Sequence, residues 1–156
     1  MTEHTTSRSV GIWIDHREAV LIFVSELDGS LLRIMSNVEE RTRSRVLPSN
    51  APHESQLVHA DDSRGRRTMG FLTHYYDEVI ARLAGATEVF IFGPGEAKGE
   101  FRKRFDHTAH PGCTVSIEPA ARMSEAQLVQ KVRKHFGLTV APVNPIRHDA
   151  AREQRR

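Results

Sequence analysis

The sequence holds a single cysteine, Cys113, among 156 residues. That excludes an internal disulfide and any zinc knuckle or ribbon built from several cysteines. Long apolar runs are missing too: the longest, residues 19–24, falls far short of the roughly 20 that cross a bilayer. Residues 1–9 are polar and lack the apolar centre of a secretory signal. Nor is there an excess of one charge, since 22 basic against 20 acidic residues leaves +2, too little to argue for nucleic acid from the total. The P-loop, dinucleotide, G-x-S-x-G and H-E-x-x-H patterns are all absent. What is present is 38% hydrophobic and 27% charged residues, a composition that folds. The expectation is a soluble, cytoplasmic α/β protein with no membrane segment and no cofactor. Its single domain is expected over residues 10–137, between a flexible leader, 1–9, and a mobile basic tail, 138–156.

Although the net charge is small, its distribution is uneven. Arg41, Arg43 and Arg45 fall together, as do Arg64, Arg66 and Arg67; Lys98, Arg102, Lys103 and Arg104 form a third group, and Arg147, Arg152, Arg155 and Arg156 a fourth. Such groups are either solvated faces or cations gathered for a phosphate backbone.

Residues 10–15 (V-G-I-W-I-D) and 19–25 (A-V-L-I-F-V-S) read as strands, the second continuous enough to be buried on both faces. Asp28-Gly29 signals a hairpin into a third strand over 31–38. From 39 to 66 the pattern stops. Prolines, five arginines and two adjacent aspartates predict a long irregular segment, either functional or disordered. Leu72, Tyr75, Tyr76, Val79, Ile80 and Leu83 then mark an amphipathic helix over 67–84, closed by Gly85. A short buried strand, 88–92, runs into Gly93-Pro94-Gly95 and a helix over 96–108. A strand over 113–117 follows, then a helix whose Ser124 and Gln127 form a capping box. The order βββαβαβα predicts a mixed five-stranded sheet with helices packed on it.

Several residues invite chemistry. Gly93, Gly95 and Lys98 sit at a strand-to-helix junction, where backbone amides and the helix dipole attract anions; the same residues also serve a plain tight turn. A phosphate or nucleotide sensor built on this turn is one alternative function. Asp15, ending the first strand, would suit a metal-dependent nuclease, a second alternative, but two-metal chemistry needs converging carboxylates and a turn-forming aspartate explains it as well. The nine histidines have no ligand spacing. Trp13 alternates with Ile12 and Ile14, which suits core packing better than an exposed stacking platform.

The element order is similar to the ribonuclease-H-like fold. Residues 88–101, E-V-F-I-F-G-P-G-E-A-K-G-E-F, resemble the strand–G-P-G–K–F–helix unit in the middle domain of the archaeal and eukaryotic peptide-chain release factor and Pelota family. Residues 11–22, G-I-W-I-D-H-R-E-A-V-L-I, resemble that domain's first hairpin, and bacterial relatives share the pattern. In release factors the segment before the first helix carries Gly-Gly-Gln, which promotes peptidyl-tRNA hydrolysis. Here residues 39–67 contain only Gln56, between Ser55 and Leu57. The resemblance therefore implies a non-catalytic, translation-associated protein closer to Pelota, which lacks the tripeptide. It implies contact with the ribosome, rRNA or tRNA; the charge clusters and the turn then make Gly93, Gly95, Lys98, Arg64, Arg66, Arg67 and Arg102 the expected anion- and RNA-binding residues. A homodimer formed through an exposed sheet edge is a further expectation.

Overall fold

Strand β1 (Ser9–Ile14) turns into β2 (Glu18–Val24) because Asp15 makes the turn itself. Its Oδ1 accepts hydrogen bonds from the amides of Arg17 and Glu18, both at 2.8 Å, and its own amide bonds the Glu18 carbonyl at 3.0 Å. An aspartate that satisfies two backbone donors in this way fixes a tight reversal. The antiparallel hairpin continues into β3 (Gly29–Met35), with Val24 opposite Gly29. The computed structural model describes residues 8–24, 29–44, 55–108, 110–138 and 147–148; side chains are described in all of these except 44, 55–64 and 147–148.

After β3 the chain forms α1 (Val38–Ser44), α2 (Ser55–Ala81), β4 (Glu88–Gly93), α3 (Ala97–Asp106), β5 (Thr114–Pro119), α4 (Glu125–His135) and a two-residue strand, β6 (Arg147–His148). The sheet order is β5-β4-β1-β2-β3-β6. Strand β2 runs antiparallel to β1 and β3, while β4 is parallel to β1 and β5 to β4. This is the mixed α/β sheet of the expectation, with helices packed on it.

Helices cover both faces. On one, Ile12, Ile14, Leu21 and Ile91 pack against Tyr75, Val79 and Leu83 of the α2 region and Phe101 and Phe105 of α3. On the other, Trp13, Val20, Ile22, Phe90 and Phe92 pack against Leu128 and Val132 of α4. Strand alternation places Ile12 and Trp13 in different cores, and Trp13 is buried as expected. Both faces of β4 are buried, as a parallel strand between two helical layers requires. The capping box of α4 forms: Ser124 Oγ accepts from the Gln127 amide, and the Gln127 side chain accepts from the Ser124 amide at 2.9 Å.

Three expectations need correction. The segment 39–66, expected to be irregular, contains α1 and the first turns of α2. Its helical content escaped the pattern because an apolar stripe appears only where a helix faces a core. Along α2 the first buried side chain among those described is Leu72; Gly65, Arg66, Arg67, Met69 and Gly70 are exposed. The tail contributes β6, which pairs in parallel with Ser30 and Leu31 of β3; residues 139–146 and 149–156 lie outside the described residues. The sheet therefore has six strands, the sixth too short to leave a sequence pattern. Residues 1–7 of the expected leader also lie outside the described residues, and β1 begins one residue early, at Ser9.

Candidate functional site

Because β1 and β4 are parallel, their carboxyl ends share one end of the sheet, which carries Asp15, His16 and the Gly93–Lys98 turn. Gly93 is placed there by contact. A Cβ added to it would lie 2.2 Å from the Ile14 carbonyl oxygen, and its own carbonyl accepts from the Ala120 amide at 3.0 Å. Gly95 is different: its φ is +63°, and a Cβ there would meet nothing within 4 Å. It is the exposed apex of the turn. Lys98 folds back over the turn and donates its Nζ to the Gly95 carbonyl. Glu96 occupies the N-cap of α3 without a side-chain hydrogen bond to the helix.

Tyrosines anchor α2 to this end. Tyr75 donates its hydroxyl to the Asp15 carbonyl at 3.1 Å, and Tyr76 donates to Glu100 Oε2 at 2.6 Å. Burial drives both phenols far above their ordinary pKa, Tyr76 with further help from Glu100, so both remain donors. His16 Nε2 meets the same Glu100 oxygen at 3.0 Å. Burial alone would raise the Glu100 pKa, but the hydrogen bonds from Tyr76 and His16 outweigh it and hold the carboxyl below its usual range. Asp77, gripped by Arg104 at 2.7 and 2.9 Å, is lowered chiefly by those hydrogen bonds.

These shifts fix a pH dependence. Both carboxyls have lower pKa values folded than unfolded, so their stabilisation is complete above the ordinary carboxylate range. It is lost as pH falls through the depressed folded values. The urea midpoint should therefore drop between about pH 6 and about pH 3, and drop less in Asp77→Asn. An identical fall in parent and variant would show that the Asp77–Arg104 pair contributes nothing.

The basic residues divide between two places. Because α2 runs antiparallel to β4, its amino-terminal part continues past the Tyr75 and Tyr76 anchors, beyond the end of the sheet that holds the Gly93–Lys98 turn. Residues 55–71 make this extension about 25 Å long at 1.5 Å per residue. Arg66 and Arg67 are exposed on it. Arg64 lies on the same helix, with its side chain outside the described residues. Arg102 is not part of this grouping. Asp106 holds its guanidinium at 3.0 and 3.1 Å toward the other end of α3, where it borders a cavity of about 490 Å³ with His110 and Cys113. Burial, with Glu88 nearby, pushes the Cys113 thiol up, which keeps it protonated rather than nucleophilic. Among the described residues, no group of three or more His, Cys, Asp or Glu side chains could hold a metal ion. No helix among them is long and apolar enough to cross a membrane.

No family model and no curated protein matches the sequence. Among solved structures, the chain is similar to the Pelota protein of Thermoplasma acidophilum. The identity is 14% and the TM-score 0.49, over 88% of this chain and 36% of that one. An archaeal protein is 17% identical with a TM-score of 0.45, over 89% and 36% of the two chains. The archaeal translation termination factor aRF1 is 14% identical with a TM-score of 0.40, over 86% and 40%. This chain thus spans little more than a third of the length of the Pelota protein it matches.

Two clusters escaped the sequence reading. The His16–Glu100–Tyr76 chain joins a turn to two helices, and only the parallel pairing of β1 with β4 brings its members together. The second is Glu18. Its carboxylate, 8% exposed, accepts from Arg33 and from Arg122, each at 3.0 Å, and Arg33 also reaches Glu125 at 3.2 Å. A glutamate opening a strongly apolar strand was the one available signal.

Proposed function

We propose that this chain is a non-catalytic, translation-associated protein that binds the ribosome or structured RNA, rRNA or tRNA. The observation that carries this reading is the placement of Arg66 and Arg67 on a helical extension past the end of the sheet that holds the Gly93–Lys98 turn. Phosphate-backbone binding needs cations gathered in space rather than a large total charge, and a projecting basic helix gathers them. Arg64 extends the basic run along the same helix. At the turn, the exposed Gly95 apex, the start of α3 and the Lys98 ammonium supply donors and positive charge for a phosphate. Glu96 and Glu100 beside it restrict that contribution, so the α2 extension carries most of the contact.

The likeness of residues 88–101 to the release factor and Pelota turn supports the same reading, and the lack of Gly-Gly-Gln in 39–67 favours a non-hydrolytic role. Asp15 gives a nuclease little support, because one of its carboxylate oxygens is already committed to two backbone amides.

Co-sedimentation with ribosomes tests the proposal. Binding is expected at low salt and should weaken as salt rises. Replacing Arg64, Arg66 and Arg67 together by alanine should flatten the log–log salt dependence by about two to three units. No association with ribosomes or RNA at low salt would overturn the proposal.

A further inference from the structure

On the α4 side of the sheet, a cavity of about 250 Å³ is bounded by Trp13, Glu18, Arg33, Arg122 and Leu128. Its charges differ in how firmly they are held. The Glu18 side chain is 8% exposed and fixed at the start of β2, whereas Arg122 is 73% exposed on the connection between β5 and α4. The one hydrogen bond described for Arg122 runs to Glu18 Oε1. When Arg122 leaves, Arg33 still bonds Glu18 Oε2 at 3.0 Å, so the buried carboxylate keeps one cation while Oε1 is freed to take another. An exposed guanidinium loses little when it swings into water. The carboxylate is therefore the permanent feature of the cavity and Arg122 the exchangeable one. Around the carboxylate stand the indole of Trp13 and the aliphatic side chains of Val20 and Leu128, an aromatic and apolar wall. Such a wall with a fixed carboxylate at its base suits an alkyl cation.

We propose that this cavity binds a guanidinium or primary ammonium group, which takes the place of Arg122 on Glu18. In the unliganded protein Arg122 acts as the resident surrogate of that ligand. The chemistry is shared by an arginine side chain of a polypeptide and by a free polyamine.

Trp13 is the only tryptophan in the sequence, so its emission reports on this cavity directly. The experiment titrates the full-length protein with N-acetylarginine amide, with spermidine and, at matched ionic strength, with sodium chloride and sodium phosphate. A saturable change in Trp13 emission is expected with at least one of the two organic cations, and the one that binds more tightly identifies the source. Arg122→Ala removes the internal competitor and should lower the half-saturating concentration by about tenfold. Glu18→Gln should abolish the response. Should Glu18→Gln fail to fold, the parent and Arg122→Ala still decide, because a cation site must bind more tightly once Arg122 is gone. No saturable response in either protein, weaker binding in Arg122→Ala, or a response to phosphate lost in Arg122→Ala would each overturn the proposal, the last by making this an anion site.

Discussion

Gly93→Ala is expected to cost about 3 kcal/mol or more of stability, while Gly95→Ala, two residues along, should cost about 1–2 kcal/mol. The difference follows from what each glycine faces. An alanine Cβ at Gly93 would sit 2.2 Å from the Ile14 carbonyl oxygen and 3.2 Å from that residue's nitrogen and carbonyl carbon. Those are backbone atoms of a central strand, so relief requires β1 and β4 to separate where both are buried. At Gly95 the space is open and only the left-handed backbone penalises a side chain. Urea unfolding of the two variants measures the contrast. Equal losses would mean that close approach to Ile14 is not what position 93 demands. Separating the two matters for function: Gly95→Ala leaves a folded protein in which the turn's exposed apex can be tested, and Gly93→Ala does not.

Phe101→Ala should be the other severe change, at about 3–5 kcal/mol. Phe101 is fully buried, edge-on to Tyr76 with ring centroids 6.0 Å apart and 6.2 Å from Phe105. Truncation opens a cavity beneath α3 and loosens its hold on α2 at the level where Tyr76 meets Glu100. Phe101→Leu, which keeps much of the volume, should lose less than half as much, about 1.5 kcal/mol. Calorimetric melting of both variants checks the ranking. Ribosome co-sedimentation should be unaltered in the folded leucine variant, because Phe101 contributes packing rather than contact; a clear loss would assign it a direct role.

Much of this architecture was legible in the residues, for reasons that also explain the omissions. The stripe Leu72–Tyr75–Tyr76–Val79–Ile80–Leu83 revealed a helix because all six side chains face the sheet. The alternation around Trp13 marked a strand with Trp13 packed in a core, and the structure gives that strand a core on each face. The same logic is blind where nothing is buried. The exposed turns of α2 around Gly65–Gly70 have no apolar face, and two glycines within a helix argue against helix on propensity alone. At the candidate site, the G-P-G turn was legible as a local pattern. The direction of Arg102 was not read, although Asp106 stands at i, i+4 on the same helix, the spacing at which such an ion pair forms. Glu18 with Arg122, and His16 with Glu100, are separated by 104 and 84 residues and come together only through strand order.

The long helix also has a mechanical consequence. Two phenol hydroxyls hold α2 in its carboxyl-terminal third, just after its buried stripe begins at Leu72, and α1 packs against it, so α2 is a lever whose fulcrum is the Tyr75–Tyr76 pair. A tilt of about 5° displaces the tip of a 25 Å arm by about 2 Å. That fulcrum rests on the Asp15 carbonyl and the Glu100 carboxylate. Anything that grips the far tip therefore pulls on the β1–β2 reversal and on the first turns of α3 together.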